Sequence, residues 1–149
     1  MSNAANRGKD AEGFVQDFLD EYDKQHARFD WRRNYDAHTA GGRFPRQTGD
    51  FEYFLPWEYG VIEVKEVKNH DCRLPHKNYT PEKVAKVRKR VLAGGKSIVL
   101  VWFRLPNVWR ISGIEQYTKR EGGSWDLSGL TPYPTAEAAL NAWGFGEAP

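Results

Sequence analysis

The sequence is poor in sulfur: of its 149 residues one is a cysteine, Cys72, and one a methionine. A single cysteine excludes an intramolecular disulfide and fits a reducing compartment. It also cannot build a zinc cage without histidines at matching spacing, and His70 and His76, which flank it, form no recognised zinc pattern. No apolar run approaches the roughly 18 residues that span a bilayer. The opening stretch MSNAANRGKD has no apolar segment, so no secretory signal is expected. Internal repeats, low-complexity tracts and long linkers are missing as well. A single domain over residues 1–149 is therefore expected, with 1–6 disordered and no membrane association.

A large net charge is also lacking, since the formal balance is only +2. The charge is unevenly placed, however. Between Lys65 and Lys96 ten Lys or Arg face three acids, whereas the first 24 residues carry three basic and six acidic groups. A basic segment of this kind suits a polyanion, because Lys and Arg that neutralise phosphates release condensed counterions. It is equally what a solvated basic helix face looks like. What the chain does have in quantity is aromatic residues: 14%, with six Trp, which argues for a packed core.

The periodicity predicts an α/β chain. Phe14, Val15, Phe18, Leu19 and Tyr22 recur at helical spacing over about Asp10 to Ala27. A short strand follows around Phe29 and Trp31, then a flexible basic loop over 34–47 containing Arg43 and Arg46. Asp50–Leu55 reads as a strand closed by a turn at Pro56-Trp57. Val61–Val67 alternates strictly and puts Val61, Glu63 and Lys65 on one side. A loop with His70, Pro75 and His76 leads to a helix that starts at Thr80-Pro81 and stops at Gly94-Gly95. Its expected buried stripe is Val84, Val87, Val91 and Leu92. Ser97–Phe103 is a continuous apolar run suited to the middle of a sheet covered on both faces, and Val108–Ser112 returns after Pro106-Asn107. A short helical piece near Ile114–Lys119, a Gly-rich loop and a helix capped by Thr135 complete the chain. For Trp125 and Trp143 packing is the expected role. The class is α/β, a mixed central sheet flanked by helices.

Two acids and a lysine meet in the second hairpin. Asp50 starts one strand, and Glu63 and Lys65 lie two apart on the next, so both point to one face. Two carboxylates on one face suit Mg²⁺, which takes few protein oxygens and keeps several waters. Lys65 beside them could orient or deprotonate a water, or offset charge developing on phosphorus. A surface hairpin of alternating charge is the plainer alternative. The apolar setting of Val61, Ile62 and Val64 argues against it, since a charge facing a half-buried surface is costly unless paired or metal-bound.

Thr48-Gly49-Asp50, followed by Glu63-Val64-Lys65-Glu66-Val67-Lys68-Asn69, closely resembles the core of RecU-type Holliday junction resolvases, nucleases of the PD-(D/E)xK superfamily. That family reads Thr-x-Asp and Glu-Ala-Lys-Glu-Thr-Lys-Asn at the same distance. Asn6-Arg7-Gly8-Lys9-Asp10-Ala11-Glu12 is similar to its Asn-Arg-Gly start, and Leu74-Pro75-His76-Lys77-Asn78-Tyr79 to its Phe-Pro-Leu-x-Asn-Phe segment. The resemblance runs, with gaps, from Asn6 to about Tyr117 and implies a restriction-endonuclease-like core. It implies that Asp50 and Glu63 are metal ligands, that Lys65 is the catalytic lysine, and that Glu12 is a further acid near the metal. Thr48 would bond to metal-bound water or phosphate, and Lys68 and Asn69 would touch DNA. The chain departs from the family in three places. The interval Asn34–Gln47 is too short for its stalk, its His-Gln pair gives way to Lys83, Lys86 and Arg90, and 120–149 has no counterpart.

The resulting expectation is a Mg²⁺-dependent endonuclease, with Mn²⁺ as a possible substitute, that cuts four-way DNA junctions as a homodimer. Its DNA contacts are expected from Arg7, Lys9, Arg32, Arg33, Arg43, Arg46, Lys68, Asn69 and Lys86, and its location in the cytoplasm of a bacterial cell or phage-infected host. Two alternatives stand beside it: an endonuclease of the same superfamily acting on duplex or flap DNA, and a non-catalytic DNA-binding module.

Overall fold

A computed structural model describes residues 10–34, 49–68, 72–118 and 121–148. Helix α1 (Ala11–Gln25) starts where Asp10 caps it, its side chain accepting the Gly13 N–H at 2.8 Å. Val15 and Leu19 are buried on its inner face, with Phe14, Phe18 and Tyr22 partly buried beside them. Four strands of the main sheet flank a central fifth. They are β1 (Asp30–Arg33), β2 (Phe51–Leu55), β3 (Glu58–Val67), β5 (Lys96–Phe103) and β6 (Val108–Ser112), in the order β1-β2-β3-β5-β6. All neighbouring pairs are antiparallel except β3 and β5. A parallel pair needs a long connection, and helix α2 (Pro81–Leu92) supplies it, with Thr80 accepting the Lys83 N–H at its start.

Strand alternation sorts the side chains to two faces. Ile62 and Val64 of β3 join Phe51, Tyr53, Ile98 and Leu100 under α1 and helix α3 (Ala136–Trp143). Val61 of β3 joins Val99, Val101 and Phe103 with Val84 and Val87 of α2 on the other face. Each fully buried aliphatic side chain contributes about 1.5–3 kcal/mol, so both layers stabilise the sheet.

Three readings of the sequence need correction. Leu92 is 88% exposed; α2 ends there, and Val84 and Val87 do the burying, with Val91 only partly covered. The loop before α2 contains a short strand, β4 (Arg73–Pro75), paired antiparallel with β7 (Ser124–Asp126) in a separate two-stranded sheet. Three residues with a proline carry too little alternation to be read as a strand. Trp143 is 41% exposed, whereas Trp125 is buried. The segment without a counterpart in the resembled family is thus part of the core, contributing Trp125, Leu127, Ala139, Leu140 and Phe145.

Candidate active site

The start of β2 builds the site. The Asp50 N–H donates to the Ile62 carbonyl at 2.8 Å, and the Asn34 N–H donates to the Asp50 carbonyl at 2.7 Å. Before Phe51, whose partner is Ile62, β2 has not begun, so the next N–H of β3 on that side lacks a strand to bond. The Asp50 side chain takes its place, Oδ2 accepting from the Val64 N–H at 2.7 Å. A buried donor left unsatisfied would cost about 1–3 kcal/mol, so the bond both finishes the ladder and aims the carboxylate. The approach depends on Gly49. A Cβ there would stand 2.9 Å from the Ile62 carbonyl oxygen and 3.3 Å from the Val61 Cβ. The Asn34 amide then ties the Gly49 carbonyl to the end of β1 at 3.1 Å.

Glu63 and Lys65 lie on the α2 face of β3, as the alternation predicts. Glu63 Oε2 and Lys65 Nζ are 2.8 Å apart, with side chains only 7% and 16% exposed. The Lys65 ammonium also lies over the ring of Tyr79, 5.1 Å from its centroid. The Asp50 carboxyl is held well above the usual carboxylate range, first by burial, then by the charges of Glu63 and Glu12; the Val64 N–H and Lys65 pull it back. Three acids therefore feel one another here. Glu12 arrives from the first turn of α1, where Arg33 of β1 pairs with it at 3.2 Å and donates to Gln16 at 3.0 Å.

Glu66, which alternation sends to the opposite face, fixes that helix end. Its Oε1 accepts the Ala11 N–H at 2.8 Å and its Oε2 pairs with Arg104 at 3.2 Å. A carboxylate at a helix N-terminus is favoured by the dipole and the free N–H groups there. Glu66 thereby anchors the start of α1, and with it Glu12, to β3.

Of the arginines expected at DNA, the two among the described residues, Arg32 and Arg33, are engaged with protein. Arg32 pairs with buried Glu52 at 2.6 Å while remaining 65% exposed. Tyr59 donates to the same carboxylate at 3.1 Å and accepts from Arg90 at 2.7 Å. Lys68, just past β3, and Lys86, on α2, are exposed. Arg7, Lys9, Arg43, Arg46, Thr48 and Asn69 lie outside the described residues. Sequence reasoning missed Gly49, Glu66 and Tyr79 as parts of the site. Gly49 stood inside the motif, but its steric role needs the opposite strand.

No family model matches the chain, and no curated protein matches it significantly. A solved structure does. It is Hjc of Archaeoglobus fulgidus, described as a Holliday junction resolvase from an archaeal hyperthermophile. The likeness covers 85% of this chain and 97% of that chain, with a TM-score of 0.53 and 20% identity. The chain has the restriction-endonuclease-like fold. Among the described residues, Asp50 and Glu63 could hold a metal within that fold. Among the described residues no group of three or more His, Cys, Asp or Glu side chains is placed to hold a metal ion. The donor set instead fits Mg²⁺, which is commonly bound by one or two carboxylates and completes its shell with water and phosphate oxygens. Crowded, desolvated carboxylates such as Asp50 also favour a cation over their own mutual repulsion.

Proposed function

We propose that this chain is a Mg²⁺-dependent, structure-selective DNA endonuclease that resolves four-way junctions as a homodimer. The observation that carries the reading is the Asp50–Glu63–Lys65 cluster, largely buried at the start of β2 with its carboxylates within one another's field. The RecU-like motif in which these residues fall supports it, as does the fold shared with a protein described as a junction resolvase. A module that only binds DNA has no use for three such groups together.

Asp50 and Glu63 would hold the cation, and bound Mg²⁺ supplies Lewis-acid polarisation of a phosphodiester and acidification of a water. Lys65 orients the attacking water and offsets charge developing on phosphorus. Glu12 adds negative potential at the edge of the site, moderated by Arg33. Exposed Lys68 and Lys86, with Arg32, hold the DNA backbone and read shape rather than bases. Two-fold symmetry supplies the second cut that a junction requires.

Cleavage of a synthetic four-way junction, with linear duplex and flap DNA of the same sequence as controls, tests the proposal with and without Mg²⁺. Paired symmetric nicks on the junction alone, dependent on Mg²⁺ and lost in Lys65→Ala, are the expected result. Equal cutting of all three substrates would keep the chemistry and remove the junction selectivity. Binding without cleavage under Mg²⁺ or Mn²⁺ would refute the nuclease reading.

A further inference from the structure

Lys65 carries its charge on a flexible four-carbon stem, so something must restrict where the ammonium goes. Glu63 restricts it at 2.8 Å. That restraint weakens if Glu63 also serves a divalent cation, because its charge is then shared. A second restraint, uncharged and therefore indifferent to the cation, lies on the other side: the ring of Tyr79, whose centroid is 5.1 Å from Nζ. An ammonium over an aromatic face within about 6 Å is attracted by the ring quadrupole.

Tyr79 is itself tightly packed. It is 1% exposed and stands edge-to-face with Tyr117 at 5.4 Å. Its carbonyl accepts the Trp125 indole N–H at 2.7 Å, which ties it to β7. Its hydroxyl is buried without a hydrogen-bond partner among the described residues. The ring is therefore placed by packing, and one of its faces is turned to Lys65.

We propose that Tyr79 is the positioning residue of Lys65, its ring face holding the ammonium on the nuclease face of the sheet. The catalytic consequence rests on the function proposed above; the contact itself does not. Two readouts separate them. The first is the reductive-methylation rate of each lysine in metal-free, DNA-free protein, followed by peptide mass spectrometry. The second is kcat and KM for junction cleavage. Tyr79→Phe keeps the ring face and is expected to match the wild type within about twofold in both, as the quadrupole is nearly unchanged. Pentafluorophenylalanine at position 79 keeps the planar ring, slightly enlarged, and reverses its quadrupole, which removes the attraction. It is expected to raise methylation of Lys65 about 3–10-fold and lower kcat by a similar factor at constant KM, with Lys83, Lys86 and Lys89 unchanged. An unchanged Lys65 rate in that variant overturns the proposal. So does a parallel rise at all lysines, which would reveal packing and nothing more. If the wild-type protein cleaves no DNA, the nuclease reading fails, and the methylation rates still decide whether Tyr79 holds Lys65.

Discussion

The two faces of β3 are both covered and differently built. Toward α1 and α3 it presents Ile62 and Val64, 0% and 5% exposed, among aromatic and aliphatic neighbours such as Phe51, Tyr53 and Leu100. Toward α2, one residue out of phase, it presents Glu63 and Lys65. The first face is what folding alone requires. The second places charges where their desolvation is costly and where removing one partner leaves the other stranded. Burial of this kind is a poor way to gain stability, so under the proposed function the α2 face is where stability would be given up for chemistry.

Substitutions on the two faces should therefore have opposite signatures. The largest effect is expected from Asp50→Asn. Cleavage should fall on the order of 10³-fold or more, while the amide oxygen still accepts the Val64 N–H. In metal-free protein the same change should raise Tm, because a crowded buried charge is removed, by about 2–4 °C for each kcal/mol of relieved repulsion. Leu100→Ala on the apolar face should do the reverse. It should cost about 2–5 kcal/mol of stability and leave the specific activity of the folded fraction within about twofold. Thermal melts and single-turnover cleavage on both variants check the pair. A destabilised Asp50→Asn would break the contrast.

The same contrast explains what could be read in the sequence. The apolar face was legible because it repeats: Phe14, Val15, Phe18 and Leu19 mark one helix side, and Ile98 to Phe103 a covered strand. The charged face was legible only in part. Glu63 and Lys65 follow from period-two alternation, and Asp50 from its place in the motif. Glu12 owes its assignment to a resemblance, because a helix-start acid looks alike whether or not a carboxylate cluster stands nearby. Gly49, Glu66 and Tyr79 act across long separations, on Ile62, Ala11 and Lys65 respectively, and local periodicity holds no trace of such contacts. Leu92 was misread for a related reason: helical spacing predicts a face, but not where the covering layer stops.

Metal and pH should sharpen the comparison at intermediate magnitude. If Asp50 and Glu63 hold Mg²⁺, saturating metal should stabilise the wild type by about 2.7 kcal/mol at 100 times Kd, seen as a rise in Tm. Asp50→Asn and Glu63→Gln should show little of it. Without metal, the sign of the pH dependence follows from Asp50. Its carboxyl is raised in the folded protein, so between the ordinary carboxylate value and the raised one the folded state binds the extra proton. Stability is then lost as pH rises through that window. Asp50→Asn lacks the loss, so the stability difference between variant and wild type should widen with pH and then level off. Urea melts across the acidic range measure that difference. A constant difference would mean that Asp50 titrates alike in both states.

The smallest change tests whether the charged face depends on its backbone. Gly49 sits so close to β3 that an added methyl would meet the Ile62 carbonyl oxygen at 2.9 Å, a backbone atom that no side-chain rotation can move aside. Gly49→Ala must therefore push the start of β2 outward, at a cost of about 1–3 kcal/mol. The apolar face lies past Phe51 and should absorb the shift, so the protein should remain folded. The Asp50 carboxylate hangs from the displaced residue, and its 2.7 Å bond to the Val64 N–H should lengthen first. Small misplacements of a catalytic group can cost up to about 10²-fold in rate, so cleavage should fall more steeply than stability. Hydrogen exchange at the Val64 amide would report the same loosening without reference to activity. Faster exchange there, with the amides of Leu100 and Val101 unaffected, is the pattern that ties this glycine to the site rather than to the fold.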